Sequence, residues 1–233
     1  MTFKDKDFIE IKFDEFDEST NTLIATTDEE KAKKAGIYNE KGIYGKALFI
    51  FDFSSNPTGL LKKLKEMSVG EKQSFVLDPE EAYGNRDESK VRVASIAEFR
   101  SKGIHPEPGM QVNIDGELNI IRSVGSGRVV IDANNPFAGR KIRYDVEILD
   151  QIKEDKNKIE ALAKNYNIPA ESITIEDNKI LLSYTMSSES NNINKDLDKM
   201  LIQNTLAKKI LDYLDANEVI IQNKYTKKEI AQH

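Results

Sequence analysis

Apolar and polar side chains alternate through Phe8-Ile9-Glu10-Ile11-Lys12-Phe13 and again through Gln111-Val112-Asn113-Ile114. A period of two buries one face of an extended segment and leaves the other to water, so both stretches read as strands of antiparallel sheet. A different period follows Gly59. Leu60, Leu64 and Met67 fall at i, i+4 and i+7, the stripe of a short helix, with Lys62, Lys63 and Lys65 facing water. Between these stretches, Asp28 to Gly36 reads as a short surface helix. Thr26-Thr27 offer hydroxyls at its start, acids fill the first turn, lysines the last, and glycine stops it. Lys72-Gln73-Ser74-Phe75-Val76-Leu77 is a further strand, ended by Asp78-Pro79.

Residues 88–133 form a compact insertion. The pattern gives a polar lead, a short helix from Ile96 to Lys102, a loop holding Pro106 and Pro108, and strands turning at Asp115-Gly116 and Gly125-Ser126-Gly127. Aspartate-glycine favours a two-residue hairpin because both central residues need positive φ. The segment carries more apolar side chains than so small a unit can hide, among them Val91, Val93, Phe99, Met110, Leu118 and Ile131. They form either an exposed binding surface or a face packed on the main domain.

Beyond Ile152 the charged run Lys153 to Lys158 marks a linker into a helix with Ile159, Leu162, Ala163 and Tyr166 on one face. Strands from Ser172 to Glu176 and Lys179 to Met186 meet at Asp177-Asn178. A long helix from about Asn191 to Asp215 and a last strand, Glu218 to Asn223, complete a separate α-β-β-α-β unit. Leu197, Met200, Leu201, Leu206, Ile210, Leu211 and Leu214 make a wide apolar face on the long helix, suited to a core or to a dimer contact.

At 233 residues the chain is long enough for two or three such units. Cysteine is absent, which excludes disulfides, thiolate metal sites and cysteine nucleophiles and suits a reducing cytoplasm. Met1 to Asp7 lacks the apolar block of a signal peptide, and no run of about 18 apolar residues occurs, so a soluble protein is expected. A net charge of −6 makes nucleic acid and anionic membrane poor partners. His105 and His233 read as surface groups, so no metal and no cofactor is expected. Without a nucleophile, a metal cluster or a phosphate loop, any chemistry must come from the shape and polarity of a cleft.

Two motifs stand in order on either side of the insertion: Asp78-Pro79-Glu80-Glu81-Ala82-Tyr83-Gly84 before it, and Asn134-Asn135-Pro136-Phe137-Ala138-Gly139 with Tyr144-Asp145-Val146-Glu147-Ile148 after it. This order resembles the SlyD-like branch of FKBP-type peptidyl-prolyl isomerases over most of residues 7–152. With its C-terminal extension, the chain is most similar to the long-type archaeal members. The resemblance implies an α+β fold: an FKBP-like antiparallel half-barrel around a short helix, residues 1–87 plus 134–152, with a small, mainly-β flap domain inserted at 88–133. A C-terminal αββαβ domain, 153–233, would follow and offer a route to a homodimer. It further implies a cytoplasmic enzyme that rotates Xaa-Pro bonds in unfolded or partly folded polypeptides, with chaperone activity in the insert. Rotation breaks no covalent bond, which agrees with the missing nucleophile.

Position by position, the resemblance implies that Tyr83 lines the cleft with its hydroxyl toward a substrate carbonyl, that Tyr144 forms part of an aromatic floor, and that Phe13 stands where a tyrosine is common. Ile24, Ala25, Asn56, Pro57, Leu60 and Phe137 would contact substrate. The family's Phe-Asp pair falls on Ile24-Ala25, so its carboxylate is missing. Asn56-Pro57 replaces a pair of aliphatics, and Asn135 replaces a histidine. Loss of one buried hydrogen-bond network amounts to about 1–3 kcal/mol, roughly tenfold to a hundredfold in rate. A catalytically weakened, binding-only chaperone is therefore the alternative reading. By residue type alone, Tyr83, Tyr144 and Phe13 read equally well as aromatic core.

Overall fold

In the computed structural model, which describes residues 3–52, 57–114, 116–187 and 193–226, the first alternating segment becomes β1 (Phe8–Asp17). The strand runs four residues past its apolar alternation because its inward face turns from Ile9, Ile11 and Phe13 to the buried acids Glu15 and Asp17. A hairpin returns as β2 (Thr22–Thr26). The surface helix follows as α1 (Glu29–Lys34), capped by the Asp28 carboxylate on the Lys31 N–H at 3.0 Å and not by a threonine hydroxyl. The Thr26 hydroxyl instead accepts from the Asp28 N–H.

Next come β3 (Ala47–Ile50), α2 (Thr58–Glu66) and β4 (Lys72–Leu77). Leu60, Leu61, Leu64 and Met67 are all buried; each fully covered leucine stabilises the fold by about 1.5–3 kcal/mol. Of the three lysines expected in water, Lys62 is exposed and pairs with Glu81 at 3.1 Å, whereas Lys63 and Lys65 are half-buried.

The insertion comprises β5 (Val91–Ser95), α3 (Ile96–Ser101), β6 (Gln111–Ile114), β7 (Glu117–Gly125) and β8 (Arg128–Asp132). They form an antiparallel sheet in the order β5-β8-β7-β6 around Phe99, Val112, Ile121, Val129 and Ile131. Asp115 lies outside the described residues. The left-handed pair at the next turn is Ser126-Gly127, with φ 51° and 77°, which matches the hairpin twist. The chain then re-enters the main sheet as β9 (Ile142–Ile152), between β1 and β4. That sheet has the order β2-β1-β9-β4, with β3 also on β1, and all its pairings are antiparallel. Its core joins Ile9, Ile11, Phe49, Phe51 and Leu77 to the leucines of α2 and to Ile142, Tyr144, Val146 and Ile148.

The remaining chain forms α4 (Asp155–Asn165), β10 (Ser172–Glu176), β11 (Lys179–Ser187), α5 (Ile193–Tyr213) and β12 (Glu218–Thr226). β11 and β12 pair in parallel because the long helix α5 carries the chain back to the same end of the sheet. Leu206, Ile210 and Leu214 of the wide apolar face are buried, while Leu197, Met200, Leu201 and Leu211 are exposed. This unit does not stand apart from the main sheet. Its core includes Phe8, with Leu48, Ile50 and Ile152 packed against it, and the Tyr213 hydroxyl donates to Asp52 at 2.6 Å. Among the described residues no helix is long and apolar enough to cross a membrane.

Candidate active site

Tyr83 follows a single helical turn, Pro79–Glu81, closed by the Gly84 N–H donating to the Pro79 carbonyl at 2.7 Å. Gly84 and Gly139 both hold the left-handed backbone, at φ 82° and 79°, and the Gly139 N–H donates to the Gly84 carbonyl at 2.8 Å. That bond seats the second motif against the first across the whole insertion. A side chain at Gly59 would meet the Glu81 Cβ at 2.7 Å, so only glycine lets α2 close on this turn and present Leu60 to the core.

The aromatic rings then converge. Tyr83 lies 5.5 Å from Phe137 and Tyr144 lies 6.0 Å from Phe75, between ring centroids. Phe13, Ile24, Phe75, Tyr83 and Phe137 are half-buried against the core that contains Tyr144 and Leu60. At the centre, Glu15 Oε1 accepts from the Tyr83 hydroxyl at 2.6 Å and from the Tyr144 hydroxyl at 3.0 Å. Glu15 is 5% exposed, and among the described residues no cation pairs with it. Burial therefore raises its carboxyl above the ordinary range, outweighing the two phenol donors. Burial and the neighbouring carboxylate likewise raise both phenols well above their usual value.

Two closed charge clusters flank this group. Asp17 accepts from the Ser19 hydroxyl at 2.7 Å and pairs with Arg140. The Ser19 hydroxyl, opposed by burial and helped by Arg140, holds the Asp17 carboxyl down at about 2. At the root of the insertion, Asp132 takes Arg86 at 2.6 Å and Arg122 at 2.8 Å on one oxygen, and the Asn134 backbone and side-chain N–H groups on the other. A bulge at Arg122 in β7 breaks the register there. Burial would raise Asp132, but these donors outweigh it and hold it far below the carboxylate range. Asn134 also bonds both backbone groups of Asp87, joining the two linkers. A hollow of about 850 Å³ on the main sheet is lined by Phe13 together with the charged Lys12, Asp14, Lys31 and Glu147 among others, and includes neither Tyr83 nor Tyr144. Among the described residues no group of three His, Cys, Asp or Glu side chains is spaced to hold a metal ion.

The chain is similar in sequence to known proteins. Residues 92–137 match the family model described as the FKBP26 IF domain. The chain is similar to the short-type peptidyl-prolyl cis-trans isomerase of Methanocaldococcus jannaschii, at 28% identity over 140 residues, covering 60% of this chain and 89% of that one. It is also similar to the FKBP-type 16 kDa peptidyl-prolyl cis-trans isomerase of Escherichia coli strain K12, at 31% identity over 109 residues, covering 45% of this chain and 72% of that one. The chain belongs to the FKBP-type peptidyl-prolyl cis-trans isomerase family. The SlyD isomerase of Helicobacter pylori strain J99 is 29% identical over 106 residues, covering 43% of this chain and 56% of that one.

Within this FKBP-type frame, the structure brings Tyr83, Tyr144, Phe13, Phe137, Ile24 and Leu60 to one core and its margin. Pro57 caps α2 without a side-chain hydrogen bond, and Asn56 lies outside the described residues. Ala25 is half-buried and lacks a carboxylate, as the sequence says, but its register partner on β1 is Glu15. A buried carboxylate thus stands on the strand beside the position where the resemblance leaves one missing. Sequence reasoning missed Glu15, Asp17 and Arg140. The signal was the inward register of Ile9, Ile11 and Phe13, which at steps of two arrives at Glu15 and then Asp17.

Proposed function

We propose that this FKBP-type peptidyl-prolyl cis-trans isomerase accelerates rotation of Xaa-Pro bonds in unfolded polypeptides without covalent chemistry, and that residues 88–133 hold those clients. Rotation about a peptide bond faces a barrier of roughly 18–20 kcal/mol, and before proline it takes tens to hundreds of seconds unassisted. Twisting destroys amide resonance and reduces charge separation. An apolar aromatic site therefore disfavours the planar amide more than the twisted one, and only such differential binding speeds rotation. A thousandfold gain needs about 4 kcal/mol. The observation that carries this reading is the convergence of Tyr83, Tyr144, Phe137 and Phe13 on one apolar core, with Glu15 tying the two phenols.

Retention of a carboxylate weakens the case for a binding-only chaperone, yet the insertion supports holding as a second activity. Val93 and Leu118 are 63% and 61% exposed. A hollow of about 310 Å³ combines the apolar Phe99, Ile104, Val112 and Ile131 with the charged Arg92, Glu98 and Lys102 at its lining. A refolding reaction limited by proline isomerisation separates the two activities. The intact chain is expected to accelerate it, Tyr83→Phe to do so less on the acid side of neutrality, and deletion of residues 90–132 to abolish suppression of aggregation. A refolding rate equal to the uncatalysed one, with client demonstrably bound, would remove the enzyme. Self-association through exposed Leu197, Met200 and Leu201 on α5 is the further partner contact we infer, tested by sedimentation of the intact chain across dilution. A cysteine-free chain suits these roles in a cytoplasm.

A further inference from the structure

Each phenol has one hydroxyl proton, and both protons go to the same atom, Glu15 Oε1. An ionised carboxylate only accepts hydrogen bonds. While Glu15 is charged, neither Tyr83 nor Tyr144 has a proton left for a carbonyl entering the site. A neutral Glu15 can instead donate its own proton to one phenol oxygen, and that phenol's proton is then free to turn outward. Tyr83 is the ring placed to use it, because it is half-buried at the margin while Tyr144 is 3% exposed. The register supports the same assignment: Glu15 lies opposite Tyr144 on β9 and opposite the small Ala25 on β2, which leaves room for the longer acid.

We propose that Glu15 is a positioning residue that gates the site by proton uptake: charged, it withholds the Tyr83 hydroxyl, and neutral, it releases that hydroxyl to a substrate carbonyl. This inference rests on the isomerase reading above. Among the described residues, these groups face Glu15 from the elements packed against it. The loop after β4 contributes Tyr83, β9 contributes Tyr144, β2 contributes neutral Ala25, and the same face of β1 contributes Phe13 and Asp17. Asp17 is closed within its own cluster with Ser19 and Arg140. The proton equilibrium is therefore set by burial and two phenols, and it lies above the ordinary carboxylate range. A ligand that takes its hydrogen bond from the neutral state must bind together with a proton, so its affinity rises as pH falls.

The test is the binding and cis-trans exchange of a proline-containing tetrapeptide, followed by NMR between about pH 5 and pH 8. Wild type is expected to gain about tenfold in affinity and in kcat/KM on acidification, the worth of one hydrogen bond. Glu15→Gln, whose amide donates as the neutral acid would, is expected to be flat at the wild-type acid limit. Tyr83→Phe is expected to be flat at the wild-type alkaline limit. A wild-type profile without slope, or a Gln variant with the wild-type slope, overturns the proposal. Should the Gln variant fail to fold, carbon NMR titration of the Glu15 carboxyl in wild type decides: bound peptide must raise its pKa, and an unchanged pKa overturns the gate. A binding slope without any rate acceleration upholds the gate and removes the isomerase reading instead. Absence of peptide binding at every pH overturns both.

Discussion

Glu15 and Asp132 are both buried carboxylates in strands, yet their surroundings push them in opposite directions. Asp132, 0% exposed, is met by two guanidinium groups and two N–H donors from Asn134. Glu15, 5% exposed, is met by two phenols. Burial penalises both charges; cations and a full set of donors reverse the penalty at Asp132, and neutral hydroxyls do not at Glu15. The root of the insertion is thus held by a permanent ion, while the aromatic site contains an acid whose proton is negotiable. Burial of a carboxylate alone does not say which of the two it will be.

The contrast breaks most visibly at Asp132. Asp132→Ala leaves Arg86, Arg122 and the Asn134 donors without their acceptor and is expected to destabilise the protein by about 3 kcal/mol. Denaturant unfolding measures the loss, and hydrogen exchange should show it concentrated in residues 88–133. A loss no larger than that of an exposed salt bridge would erase the distinction.

Asp17→Asn extends the comparison to the third buried acid, at an expected cost of about 2 kcal/mol at neutral pH. The folded Asp17 is lowered from 3.8 to about 2, so its stabilisation is present above the ordinary value and is lost as pH falls through about 2. The gap between wild type and variant should therefore close across that window.

Glu15→Gln tests the opposite sign and the smallest effect. A carboxyl raised on folding favours the native state below its unfolded value, and that contribution disappears as pH rises through the folded one. At neutral pH the Gln variant is expected to be the more stable by about 1 kcal/mol, with the advantage gone in acid. Midpoints of denaturant unfolding across pH would show it, and a Gln variant less stable at neutral pH would contradict the picture.

The strands and helices were legible wherever apolar periodicity persisted, as in Ile9-Ile11-Phe13 and in Leu60-Leu64-Met67. The reading of β1 stopped at Phe13 because the face it follows becomes acidic, and an inward acid looks like the end of a strand until its partners are known. Those partners are remote. Glu15 meets residues 68 and 129 positions away, and Asp17 meets Arg140 at a separation of 123. No local pattern encodes such pairings. The tyrosines themselves were legible from their motifs, since Gly84 and Gly139 need a left-handed backbone that leaves a mark in sequence. The parallel pairing of β11 with β12 was not, because strand periodicity is indifferent to direction.

Phe8 occupies the other side of the strand that carries Ile9 and Ile11, is fully covered, and meets Tyr213 edge-on at 5.8 Å. One strand therefore belongs to two interiors. Trimming the chain after Ile152 would strip the shelter from Phe8, Leu48 and Ile50 and bare a greasy wall on the reverse of the sheet. A shortened catalyst would need polar replacements on that wall before it could stay in solution.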